Sequence, residues 1–382
     1  MMRDTGLLVK PDKVRHLGFI FDRSMKVQKL RLPMNCLSTL RVFLATACPM
    51  IAFMILQLPP QAVAEVTSPI PGMVDKDASH GGFLFVTFNG EGSPMTEQIY
   101  FGLSGDGRHW EALNQAQPVL ISELGEKGVR DPFIFRSHDG KKIYIIATDL
   151  SINRNRSWNR ATHAGSKSIV IWESEDLVHW SEPRLVPIAA DDAGCTWAPE
   201  AVYDQDTQDY LVFWASLTKS DNFGKQRIWA CRTKDFVTFD KPFIYIEKDR
   251  DVIDTDIVFD EGKYYRFSKD EHFKAITVET SDKLMGPWQE VPDFSLSRLK
   301  GYEGPECFLL EPATADKPST WCLLLDFYSK GAGYKPFVTH DIKGGQFEPD
   351  SDFSFPFRFR HGGILRLTPA EYQLLKTTYN RP

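Results

Sequence analysis

Four short apolar stretches of the chain carry acids at or near their openings: Arg130-Asp131-Pro132-Phe133-Ile134-Phe135, Trp197-Ala198-Pro199-Glu200-Ala201-Val202, Ile253-Asp254-Thr255-Asp256-Ile257-Val258 and Glu303-Gly304-Pro305-Glu306-Cys307-Phe308. A fifth, Arg360-His361-Gly362-Gly363-Ile364-Leu365, places a histidine there. Carboxylates gathered without a histidine pair at metal-ligand spacing suit acid/base work on a glycosidic bond. One must be protonated to assist the leaving oxygen, and another ionised to activate water. A third close by can hold the acid's pKa up by like-charge repulsion. Taken singly, each acid also reads as an ordinary turn former at the start of a strand. Only a fold that brings all of them together makes a site.

The elements that would do so are legible as a degenerate repeat. Five segments share a β-rich stretch, an Asp, and an aromatic four to six residues later: Ile99 to Trp110, Ile169 to Trp180, Arg227 to Phe239, Ile276 to Trp288 and Lys335 to Phe347. Their aspartates, Asp106, Asp176, Asp235, Asp282 and Asp341, stand 70, 59, 47 and 59 residues apart, a spacing that suits a four-stranded propeller blade with variable loops. A strand-like run precedes each segment, at Gly82 to Phe88, Lys142 to Ala147, Tyr210 to Ala215, Lys263 to Phe267 and Trp321 to Phe327. The acid-bearing strand stands ahead of four of these runs. It is missing before Gly82 and appears instead at the C-terminus. A ring whose last blade takes strands from both chain ends leaves no open edge. The expected fold is therefore an all-β, five-bladed propeller whose closing blade is shared between 361–367 and 82–113. A β-sandwich with a helical appendage is the alternative. Helix is readable only at Pro369 to Thr377, as one turn or two.

In such a ring, Asp131, Glu200, Asp254, Glu303 and His361 converge at one mouth of the channel, among the loops 148–168, 216–226, 268–275, 328–335 and 89–98. Trp197 opens an inner strand there and reads equally as a sugar-stacking platform or as core. Asp149 and Asp270 end second strands on the same face, as hydroxyl acceptors for a sugar. Trp110, Trp180 and Trp288 recur at one repeat position and read as packing between blades. Strand alternation puts Asp256 on the side of Asp254 and turns Glu306 away from Glu303.

The order Asp131-Pro132, Trp197-Ala198-Pro199-Glu200, Ile253-Asp254 with Phe259-Asp260-Glu261-Gly262-Lys263, Glu303-Gly304-Pro305 and His361-Gly362 resembles glycoside hydrolase family 43 over about 82–367. The resemblance implies a five-bladed propeller and an inverting glycosidase acting on arabinofuranose, xylose or galactofuranose. By position it implies Asp131 as general base, Asp254 as the residue that tunes pKa and orients the sugar, and Glu303 as general acid, kept protonated by Asp254. His361 matches a histidine that in many members lies near a structural calcium, with no cofactor needed for the chemistry. Arg360 would lie beside the sugar pocket. An α-L-arabinofuranosyl residue is the leading substrate, with β-xylosides and β-galactofuranosides close behind. Two alternatives stay open. One is a retaining fructan hydrolase-like enzyme, although its additional Asn-Asp-Pro motif is absent from 65–130. The other is a non-catalytic sugar-binding propeller.

Composition agrees with a carbohydrate partner and excludes others. Forty-five Lys and Arg against 51 Asp and Glu give a net charge of −6, with no basic tail, which speaks against nucleic acid. Arg31 and Arg41 precede an apolar run, Val42 to Leu56, followed by Ala62-Val63-Ala64. This reads as a secretory signal over 1–64, cut after Ala64, with Met25 or Met34 as alternative starts and a membrane anchor as the alternative reading. The expected product, 65–382, is one exported catalytic domain, periplasmic or secreted, with no membrane contact after signal removal. Its four cysteines, Cys195, Cys231, Cys307 and Cys322, lack metal-site spacing and read as buried thiols. Oligomeric state is not readable.

Overall fold

The computed structural model describes residues 80–380. The expected signal region and its cleavage after Ala64 lie outside the described residues.

The described residues form five four-stranded antiparallel sheets arranged as a β-propeller. From the channel outward, blade 1 is Val129–Arg136, Ile143–Asp149, Ser168–Ser174 and Arg184–Pro187. Blade 2 is Trp197–Asp204, Asp209–Ser216, Arg227–Thr233 and Phe243–Ile246. Blade 3 is Val252–Asp260, Lys263–Asp270, Ala275–Ser281 and Gln289–Glu290, and blade 4 is Glu303–Glu311, Thr320–Asp326, Tyr334–Thr339 and Glu348–Pro349. The closing blade pairs Arg360–Leu367, innermost, with Gly82–Phe88, Tyr100–Ser104 and Glu111–Ala112. The two ends of the described chain thus close the ring, as the displaced fifth stretch required. Each innermost strand touches the innermost strands on either side, in cyclic order.

Sequence patterning follows from this stacking. Second strands are covered on both faces by neighbouring blades, so Gly82–Phe88, Ile143–Asp149 and Thr320–Asp326 are buried at every residue and do not alternate. Outermost strands are short. Gln289–Glu290 and Glu348–Pro349 have two exposed residues each, carrying charge or proline, which blunts the sheet edge.

The repeated aspartates build turns remote from the channel. Oδ1 of Asp106 accepts the amides of Arg108 and His109 at 2.8 Å, and Asp176 and Asp235 do the same for the residues two and three ahead. The aromatics that follow are packing residues, as expected. Trp110 lies against Phe85 and Phe359, Trp180 of blade 1 meets Phe101 of the closing blade, and Trp288 lies under Arg266. The four cysteines are buried free thiols.

One helix is longer than the sequence suggested: Pro369–Tyr379 has eleven residues. Thr368 and Glu371 form a reciprocal capping box with Pro369 at the first position, and Leu375 buries against the closing blade. No helix among the described residues is long and apolar enough to cross a membrane.

Candidate active site

All five innermost strands break register at the same place. Pairing with the second strand slips between Arg130 and Phe133, Trp197 and Glu200, Ile253 and Thr255, and Glu303 and Glu306, and in the closing blade around His361. At each slip one residue takes a positive φ: Asp131 (48°), Ala198 (46°), Asp254 (46°), Gly304 (53°) and His361 (20°). These are β-bulges, which re-aim side chains and store strain where function calls for it.

The bulge changes which residues share a face, and it sorts the acids into two tiers. Asp131, Asp254 and His361 occupy the bulge position itself. Glu200, Asp256 and Glu306 stand two residues further on, deeper in the channel. The expectation that Glu306 turns away from Glu303 fails for this reason. Both reach across to the innermost strand of the closing blade, Glu303 to Arg360 at 3.3 Å and Glu306 to the amide of Ile364 at 2.7 Å. Alternation by two holds only in an unbroken strand.

In the upper tier, Nδ1 of His361 lies 3.0 Å from Oδ1 of Asp131, while its Nε2 lies 3.3 Å from Oε1 of Glu303 and 3.5 Å from Oδ2 of Asp326. An oxygen each of Asp254 and Glu303 and a ring nitrogen of His361 lie within 4.8 Å of one another. Asp131 also accepts the hydroxyl of Thr148 at 3.1 Å. The second oxygen of Glu303 accepts from Lys269 at 2.7 Å. Asp254 accepts the amide of Gly304 at 3.1 Å. Gly304 is obligatory, because a Cβ there would lie 2.6 Å from the His361 ring.

Burial works against the charged form of every one of these groups, and neighbours decide the outcome. At Asp131 burial is outweighed by His361, with Arg130 and Arg360 behind it, and the carboxyl is held below its usual range. At Glu303 burial is likewise overcome, by His361 and Lys269, and the carboxyl is held strongly ionised. Of the three upper carboxyls Asp254 keeps its proton longest: burial, with Glu303 and Asp131 adding and His361 and Lys269 opposing, pushes it up to about 6. His361 stays protonated well above its usual value, burial notwithstanding, because Asp131, Asp326 and Glu303 surround it. The resting site therefore departs from the expectation that Asp254 keeps Glu303 protonated.

The lower tier is the reverse. Glu200 is raised well above the usual range by burial and by Asp256, Glu306 and Asp254, with no cation among them. Burial lifts Asp256 to about 7 against the amides of Cys307 and Ile257, and burial with Asp256 lifts Glu306. Glu200 lines the same channel pocket as Asp131, Asp254 and His361.

Other expected site residues fall in two groups. Arg360 is in place, with Nε 3.2 Å from Asp326 and its guanidinium over Phe88. Trp197 packs on Leu150, Ile152 and Ala161 and meets Trp158 edge-on at 6.1 Å. Asp149 and Asp270 are tied into loops instead of the site. Asp149 accepts the amide of Glu126 at 2.7 Å, and Asp270 accepts the amide of Phe273 at 2.8 Å and pairs with Arg250. The residues one position earlier on those strands, Thr148 and Lys269, face the acids. Asp326 occupies the corresponding place in blade 4, paired opposite Glu303. Thr148, Lys269 and Asp326 were not singled out from the sequence; their place opposite the bulge is the signal that finds them.

The protein donors at His361 supply only part of a calcium shell: an oxygen each of Asp254 and Glu303 and one ring nitrogen lie close enough to share a cation. Calcium takes six to eight oxygens. Here His361 presents one nitrogen to Asp131 and the other to Glu303 and Asp326, and the ammonium of Lys269 already neutralises Glu303.

An α-L-arabinofuranosidase of Bifidobacterium longum subsp. longum is 32% identical over 271 residues, covering 60% of this chain and 25% of the relative. The chain thus spans about a quarter of that relative's length. Among solved structures of similar fold are an endo-1,4-β-xylanase of Bacteroides thetaiotaomicron (15% identity, 70% of this chain and 90% of that one, TM-score 0.47) and the catalytic domain of a Coprinopsis cinerea α-L-arabinofuranosidase (12% identity, 63% and 72%, TM-score 0.44). A family model described as a probable glycosyl hydrolase domain matches residues 78–373. On that match, over nearly all of the propeller, the chain belongs to the glycosyl hydrolase family 43-related family.

Proposed function

We propose that the protein hydrolyses a glycosidic bond with inversion of configuration, releasing α-L-arabinofuranosyl residues from an oligosaccharide or polysaccharide. One observation carries the reading: Asp131 and Glu303 contact opposite nitrogens of one imidazole, at 3.0 and 3.3 Å. A ring's width and two contacts then separate the carboxylates. This favours the spacing of inverting pairs, about 6.5–9.5 Å, over the roughly 5–5.5 Å of retaining ones. Asp131, ionised and oriented by Thr148 and His361, takes the proton of the attacking water. Glu303 gives a proton to the leaving oxygen. That proton comes from Asp254, whose carboxyl lies close to those of Glu303 and the His361 ring, and passes to Glu303 as bound sugar excludes water. The pentose assignment leans on the arabinofuranosidase relative.

The purified protein is tested on an α-1,5-linked arabinofuranosyl oligosaccharide, with NMR detection of the first anomer released. Initial β-arabinofuranose, abolished in Asp131→Asn and Glu303→Gln, is expected; initial α-arabinofuranose would overturn inversion. The cations around Glu303 also favour a second reading, a sugar-binding propeller without turnover. In that case the oligosaccharide binds, is not cleaved, and Glu303→Gln weakens affinity.

A further inference from the structure

The loop between the second and third strands of blade 1 carries a tryptophan unlike the others. Trp158 is 51% exposed, the only tryptophan among the described residues in that condition. It opens the short helix Trp158–His163, and the ordering of this segment is extensive. Glu126 takes the guanidinium of Arg160 in a two-point contact at 2.7 and 2.8 Å. Buried Glu97 accepts the Ser151 hydroxyl and the amides of Ile152 and Asn153. Ser151 and Ser157 cap the two helical turns, and Ala161 is fully buried. A loop held this firmly presents its indole without ordering cost when a ligand arrives.

The surroundings of the indole join it to the active site. The guanidinium of Arg130 lies over Trp158 at 5.4 Å and over Phe88 at 4.5 Å, and this side chain is only 5% exposed. Arg130 precedes Asp131 in the bulge and is held by Glu91 at 2.7 Å. Trp197, at the equivalent place on the next blade, stands edge-on to Trp158 with the rings 82° apart. One contact of the indole is thus taken by a buried cation and another by a second indole, and half its surface is open to solvent. The result is an L-shaped aromatic corner resting on Arg130, the residue that precedes Asp131.

We propose that Trp158, with the edge of Trp197, is the binding ledge for a second sugar ring, adjoining the one whose bond is broken. The C–H face of a sugar ring carries partial positive charge and complements the negative face of an indole. Glu91, which holds Arg130 beneath the indole and is 30% exposed, is the nearest acid that the contacts of this corner supply. The inference rests on the glycosidase reading and deepens it: the substrate is at least a disaccharide, and recognition reaches beyond the channel pocket.

The test compares the full chain with Trp158→Ala and Trp158→Phe on methyl α-L-arabinofuranoside, which has one ring, and α-1,5-linked arabinotriose, which has three. In Trp158→Ala the ratio of kcat/KM for the trisaccharide to that for the methyl glycoside falls about tenfold, through KM, and Trp158→Phe restores most of it. An unchanged ratio overturns the ledge, whether both activities drop together, because the ring merely packs Arg130, or neither moves. Should the wild type cleave neither compound, the arabinofuranosidase reading fails by itself, and calorimetric binding of arabinotriose decides the ledge separately. Affinity about tenfold weaker in Trp158→Ala sustains it; equal affinity, or no binding by either protein, overturns it.

Discussion

Lys269 stands 2.7 Å from Oε2 of Glu303 with only 3% of its side chain exposed, and its ammonium lies over the Tyr328 ring at 4.4 Å. A buried cation this close decides the ionisation of its partner. The residue expected to donate a proton is therefore ionised at rest, and the carboxyl proton of the upper tier sits on Asp254 only up to about pH 6. Catalysis needs that proton moved within the group of Asp254, Glu303 and His361, whose donor atoms lie within 4.8 Å of one another.

The first prediction concerns Lys269→Met. Removing the positive charge raises the Glu303 carboxyl, which then keeps its proton to higher pH. The alkaline limb of kcat/KM, placed near pH 6 in the wild type by Asp254, moves up by about one pH unit. A limb that stays in place under a full pH profile would show that Lys269 does not set the protonation of the acid.

Thr148→Val tests the other carboxylate. The Thr148 hydroxyl donates to Asp131 and accepts the amide of Ala198 at 2.8 Å, so one buried oxygen links the bulges of blades 1 and 2. Valine keeps the shape and removes both bonds. Asp131 loses a donor to its charged form, its pKa rises, and the acid limb of the profile shifts to higher pH. The orphaned Ala198 amide costs about 1–3 kcal/mol, read as a lower midpoint in urea.

Much of this was legible before any coordinates. The degenerate repeat and its displaced fifth stretch pointed to five blades and to their closure by Arg360–Leu367 against Gly82–Phe88, because a ring has only one economical way to join its ends. The limits came from one-residue geometry. Alternation is an exact period, so a bulge at Gly304 inverts every inference drawn across it, and Glu306 was placed on the wrong face. Position at a strand end made Asp149 and Asp270 look like site residues, when Thr148 and Lys269, one residue earlier, face the acids. Residue type alone does not locate the bulges: Asp131 and His361 belong to types that take a positive φ more readily than most, yet the chain holds many Asp and His that do not.

Gly304→Ala probes that geometry directly. The position combines a φ of 53° with only 2.6 Å between a new Cβ and the His361 ring. Strain of about 1–3 kcal/mol falls on the hub of blade 4, and the imidazole must leave its place between Asp131 and Glu303. Turnover drops at least tenfold together with a lower melting temperature. Full activity with lowered stability would mean that the ring position does not matter to the reaction.

The lower tier makes the last prediction, on stability against pH. Glu200, Asp256 and Glu306 all have raised pKa values in the folded protein, so the native state binds protons that the unfolded chain releases. Stability from these groups is complete below the ordinary carboxylate range and is lost as pH rises, for Asp256 across the interval up to about 7. The sign is opposite to that of Asp131 and Glu303, whose lowered values contribute stability that is lost on acidification. Glu200→Gln removes one member of the tier, and with it the repulsion that Glu200 meets from Asp256, Glu306 and Asp254. The variant should melt at a higher temperature than the wild type at pH 8, and the two melting temperatures should converge toward pH 5. A difference that is constant across the range would place the effect in packing of the side chain and not in its charge.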